Sequence, residues 1–171
     1  MVKTARSSAK FVAFTGILAA VALVLSLLES LLPPNPGMPP GFKVGLSNIV
    51  SMYAAGNLGL GPAMAIALTK GLFAFLTRGV TAGLMSTAGS LLSTLVLWLF
   101  LRKLGFGLIG SSAAGALAHN GAQLAVACVL TSEAVLFYVP FLALLGAATG
   151  ALTGLALGIL LPPLNRIVSQ L

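Results

Sequence analysis

Of 171 residues, 58% are apolar and only 6% are charged, and the mean hydropathy is +1.10. Soluble domains carry about 25% charged residues, so this chain cannot cover a water-facing surface. Its length leaves room for about six spans of roughly 20 residues, and none for a soluble domain. The net charge of +7 does not point to nucleic acid, because the nine Lys and Arg residues sit singly or in pairs at the ends of apolar runs. The composition therefore predicts an all-α integral membrane protein: a compact bundle of about six transmembrane helices, one domain over 1–171, in contact with membrane lipid.

The first span is expected over about 11–28, ending near Glu29. A basic segment precedes it, as in a signal peptide, but the apolar stretch is too long and lacks a small-residue cleavage site before Pro33. The prolines between Pro33 and Pro40 exclude a regular helix there. A second span starts near Lys43 and fades at Gly56 and Asn57, short for a full crossing. The third runs over about 61–77 and stops at Arg78 and Gly79, and the fourth covers 80–101 before Arg102 and Lys103. The fifth covers about 106–131, with Glu133 at the next turn, and the sixth about 135–161, ended by Pro162 and Pro163. Cys128 lies in an apolar run; a single cysteine excludes an intramolecular disulfide and a multi-Cys metal site.

Six spans put Lys3, Arg6 and Lys10, the Arg102–Lys103 pair and Arg166 on one side. The positive-inside rule makes that side cytoplasmic. The expectation is a multi-pass protein of the cell membrane with both termini cytoplasmic, and with the proline loop, Arg78 and Glu133 outside.

Two rows of small residues stand out. Gly146, Gly150, Gly154 and Gly158 recur every four residues and form a groove along one face of the sixth helix. The first helix carries Thr15 with Ala19 and Gly16 with Ala20 at the same spacing. Either row suits packing within the bundle or docking of another membrane subunit.

Polar groups inside apolar spans cost about 2.5–3.5 kcal/mol when charged, so they usually face a cavity or a partner. Asn48, Lys70, His119, Asn120 and Gln123 are such groups, and Lys43 and Arg78 lie at the outer rim. His119 and Gln123 share a face that Gly115 and Ser111 continue. Together these seven residues describe a cation-lined path from the outer surface, suited to an anionic or carbonyl-rich solute. The alternative is that Lys70 pairs with Glu29 while His119, Asn120 and Gln123 satisfy one another. A lone His is not a metal site, the chain has no phosphate-binding loop, and without Asp it has no acidic cluster to hold Mg²⁺. No catalytic residue, metal or cofactor is expected.

The segment from Pro40 to Val50 resembles a signature of the small bacterial membrane proteins called heptaprenyl diphosphate synthase component I, also known as the Gx transporter family. The segments Ser86–Ser93 and His119–Leu124 and the glycine row of the sixth span are similar to that family too. The family is related to the S-components of energy-coupling-factor importers, six-helix proteins that bind a vitamin-like solute and associate with a transmembrane coupling subunit and ATPases. The resemblance implies a solute-binding subunit without an enzymatic activity, with Thr15, Gly16, Ala19 and Ala20 docking the coupling subunit. Lys70 stands where the family is expected to have Arg, which argues against bidentate recognition there. The second reading is a noncatalytic membrane accessory subunit of heptaprenyl diphosphate synthase in quinone or isoprenoid metabolism. A self-contained secondary transporter is disfavoured by the lack of a clear inverted repeat.

Overall fold

The computed structural model describes residues 8–31 and 45–169. The described residues form an all-α bundle of five helices: α1 (Ser8–Leu31), α2 (Leu46–Asn57), α3 (Leu60–Trp98), α4 (Leu108–Leu130) and α5 (Val139–Ser169). A π-turn (Leu99–Lys103) extends α3, and a 3₁₀ turn (Glu133–Tyr138) leads into α5. Lys43, the proline-rich loop, Lys3 and Arg6 lie outside the described residues.

Among the described residues, four stretches are long and apolar enough to cross a membrane: Ala9–Leu31, Leu60–Lys103, Leu108–Leu130 and Glu133–Arg166. Large apolar side chains such as Leu76, Val129, Leu144 and Ile159 are exposed around the bundle. Water would penalise that surface and lipid does not, so the chain is a membrane protein.

The 39 residues of α3 would extend about 58 Å if straight, nearly twice the hydrocarbon thickness. Instead α3 folds back at Gly79, whose φ of 84° and ψ of 179° lie in a region essentially confined to glycine. The two arms, 60–78 and 80–98, run antiparallel. Ser90 Oγ donates to the Ala67 carbonyl at 3.0 Å across them, Gly71 faces Thr87, and Gly83 faces Phe75. Each pair is nearly symmetric about residue 79, as a hairpin requires. The sequence places its third and fourth spans on either side of this same break.

Only 12 residues long, α2 rises about 18 Å. Its residues Val50 to Ala55 are all buried, because α1, α3 and α5 surround it. A helix shielded from its surroundings need not be uniformly apolar, which is how α2 accommodates Asn48 and Ser51. Phe14 of α1 meets Tyr53 edge to face at 6.4 Å, and Met52, Ile66, Leu97 and Leu157 complete the apolar core.

The expected end of the sixth span at Pro162 and Pro163 is not where the helix stops; α5 continues through both prolines to Ser169. The two missing N–H groups leave only the carbonyls four residues back without a helical donor, a defect that a helix can absorb near its end. Along α5, Gly150 and Gly154 face the backbone of α4. A Cβ at Gly150 would stand 2.7 Å from Ala113 Cα, and one at Gly154 2.8 Å from Ile109 Cα. Gly146 faces Asn120, and Gly158 only touches the Leu108 side chain at 3.7 Å. The glycine row thus packs inside the bundle.

Candidate functional site

The last turn of α1, the start of α2, the turn at Gly79 and the α4–α5 connection lie at one end of the bundle. The last turns of α1, the start of α2, both arms of α3 beside Gly79, the second half of α4 and the first half of α5 enclose a cavity of about 90 Å³ there. The apolar core occupies the opposite half, so the polar side chains are gathered where the packing leaves space.

Glu29, in the last turn of α1, reaches across to the start of α2. Its Oε1 accepts hydrogen bonds from the backbone N–H groups of Gly45 and Leu46, the latter at 2.7 Å. These are donors that a helix N-terminus leaves unsatisfied, and a carboxylate there also complements the helix dipole. Gly45 takes a φ of 91°, a left-handed conformation that glycine adopts without a Cβ penalty.

Lys70, in the first arm of α3, is 4% exposed. Its Nζ donates to Asn48 Oδ1 at 2.9 Å and to Ser51 Oγ at 3.5 Å. Asn48 and Ser51 are one turn apart on the same face of α2. The alternative pairing of Lys70 with Glu29 is therefore replaced by two separate arrangements: ammonium to α2 side chains, carboxylate to the α2 backbone.

Gly89, in the second arm of α3, makes room for α4. A Cβ there would meet Gln123 Cγ at 2.9 Å and His119 Cε1 at 3.0 Å. One turn before His119, Gly115 faces Leu97. Asn120 points the other way around α4 and donates from Nδ2 to the Leu142 carbonyl of α5 at 3.1 Å. The alternative in which His119, Asn120 and Gln123 satisfy one another thus does not hold for Asn120, whose amide donates to the α5 backbone. Deeper in the cavity wall, Ser112 and Thr153 share a hydrogen bond of 2.8 Å between α4 and α5.

Asn48, Lys70, Arg78, His119, Asn120 and Gln123 all line this one cavity, although they come from three helices. Lys43 lies outside the described residues. The sequence reading missed Ser26, Glu29, Ser47, Ser86, Thr149 and Thr153, which line it as well. Small hydroxyls in apolar spans are poor signals because they satisfy themselves on their own helix, as Thr149 does at 2.8 Å from the Leu145 carbonyl. Glu29 had a signal, being one of two carboxylates in the chain, but its place at a span end disguised it. Glu29 is nevertheless 7% exposed and lines the cavity, with Arg78 close enough for their charges to interact. Among the described residues, no group of three His, Cys, Asp or Glu side chains gathers to hold a metal. The arrangement offers donors, acceptors and hydroxyls around a small space, which is chemistry for holding a solute.

A second concavity lies near the other end, between the start of α1 and the first arm of α3. Thr15, Gly16 and Ala19 line it, together with Gly61, Pro62 and Ala65. Ala20 is exposed beside it. Nothing lies within 4 Å of a Cβ built on Gly16 or on Gly61, so this small-residue face is open, unlike the glycine row of α5.

No curated protein and no solved structure matches the chain. The family model described as heptaprenyl diphosphate synthase component I matches residues 18–160, which include every described residue lining the polar cavity. By that match over most of its length, the chain belongs to the heptaprenyl diphosphate synthase component I family.

Proposed function

We propose that this protein is the solute-binding membrane subunit of an importer of the energy-coupling-factor type, holding a small solute in the polar cavity. The observation that carries this reading is the convergence of six costly intramembrane or rim polar residues on one space. The chain has no phosphate-binding loop, so energy for uptake has to come from partners. The open face of Thr15, Gly16, Ala19 and Ala20 suits a helix of a transmembrane coupling subunit, itself bound to ATPase subunits, because small residues let backbones approach closely.

In this proposal the two arms of α3 cross separately and the chain crosses six times. Lys10, Arg102, Lys103 and Arg166 then share the end opposite the cavity. At that end Arg102 donates to the Gly56 carbonyl at 2.9 Å, capping the last turn of α2. The positive-inside rule makes it cytoplasmic, so both termini are inside and the cavity faces outward. In a Cys128→Ala background of whole cells, Glu133→Cys should react with an impermeant thiol reagent and Lys103→Cys should react only after the membrane is opened. The reverse pattern overturns this orientation.

The functional reading is tested by co-purification. The tagged protein should bring down a membrane coupling subunit and ATPases. Thr15→Leu with Ala19→Leu should abolish that association while leaving solute binding intact, since both side chains line the concavity away from the polar cavity. Recovery of a soluble prenyl diphosphate synthase instead would favour the second reading, a noncatalytic accessory subunit of that enzyme, to which the family's description points.

A further inference from the structure

The two oxygens of Glu29 are in different situations. Oε1 is fixed by the Gly45 and Leu46 N–H groups. Oε2 is buried and accepts no hydrogen bond from any described residue, yet Glu29 lines the polar cavity. A buried carboxylate oxygen without a donor forfeits the hydration it would have in water. The group cannot simply rotate toward a new partner, because turning Oε1 away would strand two helix N-terminal donors. Arg78 acts on Glu29 through its charge, but supplies Oε2 with no hydrogen bond. Elsewhere on the same wall, the Lys70 ammonium is held in place by Asn48 and Ser51 and offers donors only.

The cavity wall therefore carries, on Glu29, a fixed acceptor without a donor among the described residues and, on Lys70, a fixed donor, around one space of about 90 Å³. That is small beside the roughly 300–1,000 Å³ of pockets for drug-sized ligands. We propose that the solute is amphoteric and small: it places an ammonium, amide N–H or hydroxyl donor against Glu29 Oε2, and a carboxylate or carbonyl toward Lys70. This rests on the reading of the cavity as a solute site, and it replaces the expectation of a purely anionic or acceptor-rich ligand.

The test is calorimetric titration of the full chain in detergent with matched probes of increasing length. These are 4-aminobutanoate, 5-aminopentanoate and 6-aminohexanoate, each against butanoate, pentanoate or hexanoate. In at least one pair the amino acid should bind about ten-fold tighter or more than its plain carboxylate, equivalent to about 1.4 kcal/mol. Glu29→Gln keeps an oxygen for the α2 N–H groups but turns an NH₂ to the cavity, so it should abolish that preference while retaining carboxylate binding. Equal or tighter binding of the plain carboxylates overturns the amphoteric solute and leaves the solute site standing. So does a preference that survives in Glu29→Gln. Absence of binding by both series removes the solute site and this inference with it. The comparison within the parent protein decides the matter even if Glu29→Gln fails to fold.

Discussion

Gly150→Leu is expected to leave no folded, monodisperse protein, and Gly150→Ala to lower stability measurably. A Cβ at this position would stand 2.7 Å from Ala113 Cα, 2.8 Å from the Ser112 carbonyl oxygen and 2.9 Å from Ala116 Cβ. Two of those three atoms are backbone, so no side chain can swing aside; α4 and α5 would have to separate. Overpacking of this kind typically costs about 1–3 kcal/mol for a methyl group. It also weakens the close helix contact on which association in lipid depends, since apolar burial supplies no drive there. The separation would break the Ser112–Thr153 hydrogen bond and widen the cavity wall at the same time. Gly121→Ala, on the same α4 helix but with nothing within 4 Å of its Cβ, is the control. It should be neutral or slightly stabilising, because alanine has the higher helix propensity. Thermal unfolding in detergent checks the pair; a Gly150→Ala protein that melts with the parent would show that α5 does not pack on α4 as described.

Lys70→Met is expected to preserve the fold and weaken solute binding about ten-fold to a hundred-fold, the equivalent of losing a hydrogen bond to a charged group at about 1.5–3 kcal/mol. The two effects separate for a physical reason. Lys70 is 4% exposed, and burying an ammonium is costly, so an apolar side chain of similar length can be tolerated or even preferred by the fold. Met keeps the stem that packs between α2 and α3. What it removes is the donor array at Nζ, which now holds Asn48 and Ser51 and faces the cavity. The measurement is the affinity of Lys70→Met for whichever of the carboxylate probes the parent binds, alongside its melting temperature. Unchanged affinity in a stable variant would remove Lys70 from the binding residues. A large drop in melting temperature together with loss of binding would assign it a structural role through Asn48 and Ser51.

Much of the architecture is legible in one dimension. Apolar runs interrupted by charges and prolines mark where helices begin and end, because a polar or broken backbone cannot sit unsatisfied in hydrocarbon. Arg78–Gly79 is the clearest instance: helical structure is continuous over the 44 residues Leu60–Lys103, but a cation followed by glycine in its middle marks the fold-back between the two arms of α3. The intramembrane polar residues were legible for the same energetic reason. Depth along a helix follows from counting residues, and cost in lipid follows from side-chain chemistry.

Which surfaces meet was not legible, because two small-residue rows with the same four-residue spacing look alike as sequence. Only the tertiary structure separates them. Gly150 and Gly154 abut the α4 backbone, whereas Gly16 faces open space between α1 and α3. Helix spacing fixes which residues share a face, but the partner of that face depends on how the other helices are arranged around it. The same reason hid the role of Glu29. Its position at the end of α1 reads as a boundary charge, and it becomes a cap for α2 and part of the cavity wall only because the end of α1 lies beside the start of α2. Side-chain chemistry and residue counting place costly polar groups at comparable depths in a membrane bundle; the packing of α1 to α5 makes them enclose one space and puts a carboxylate among them.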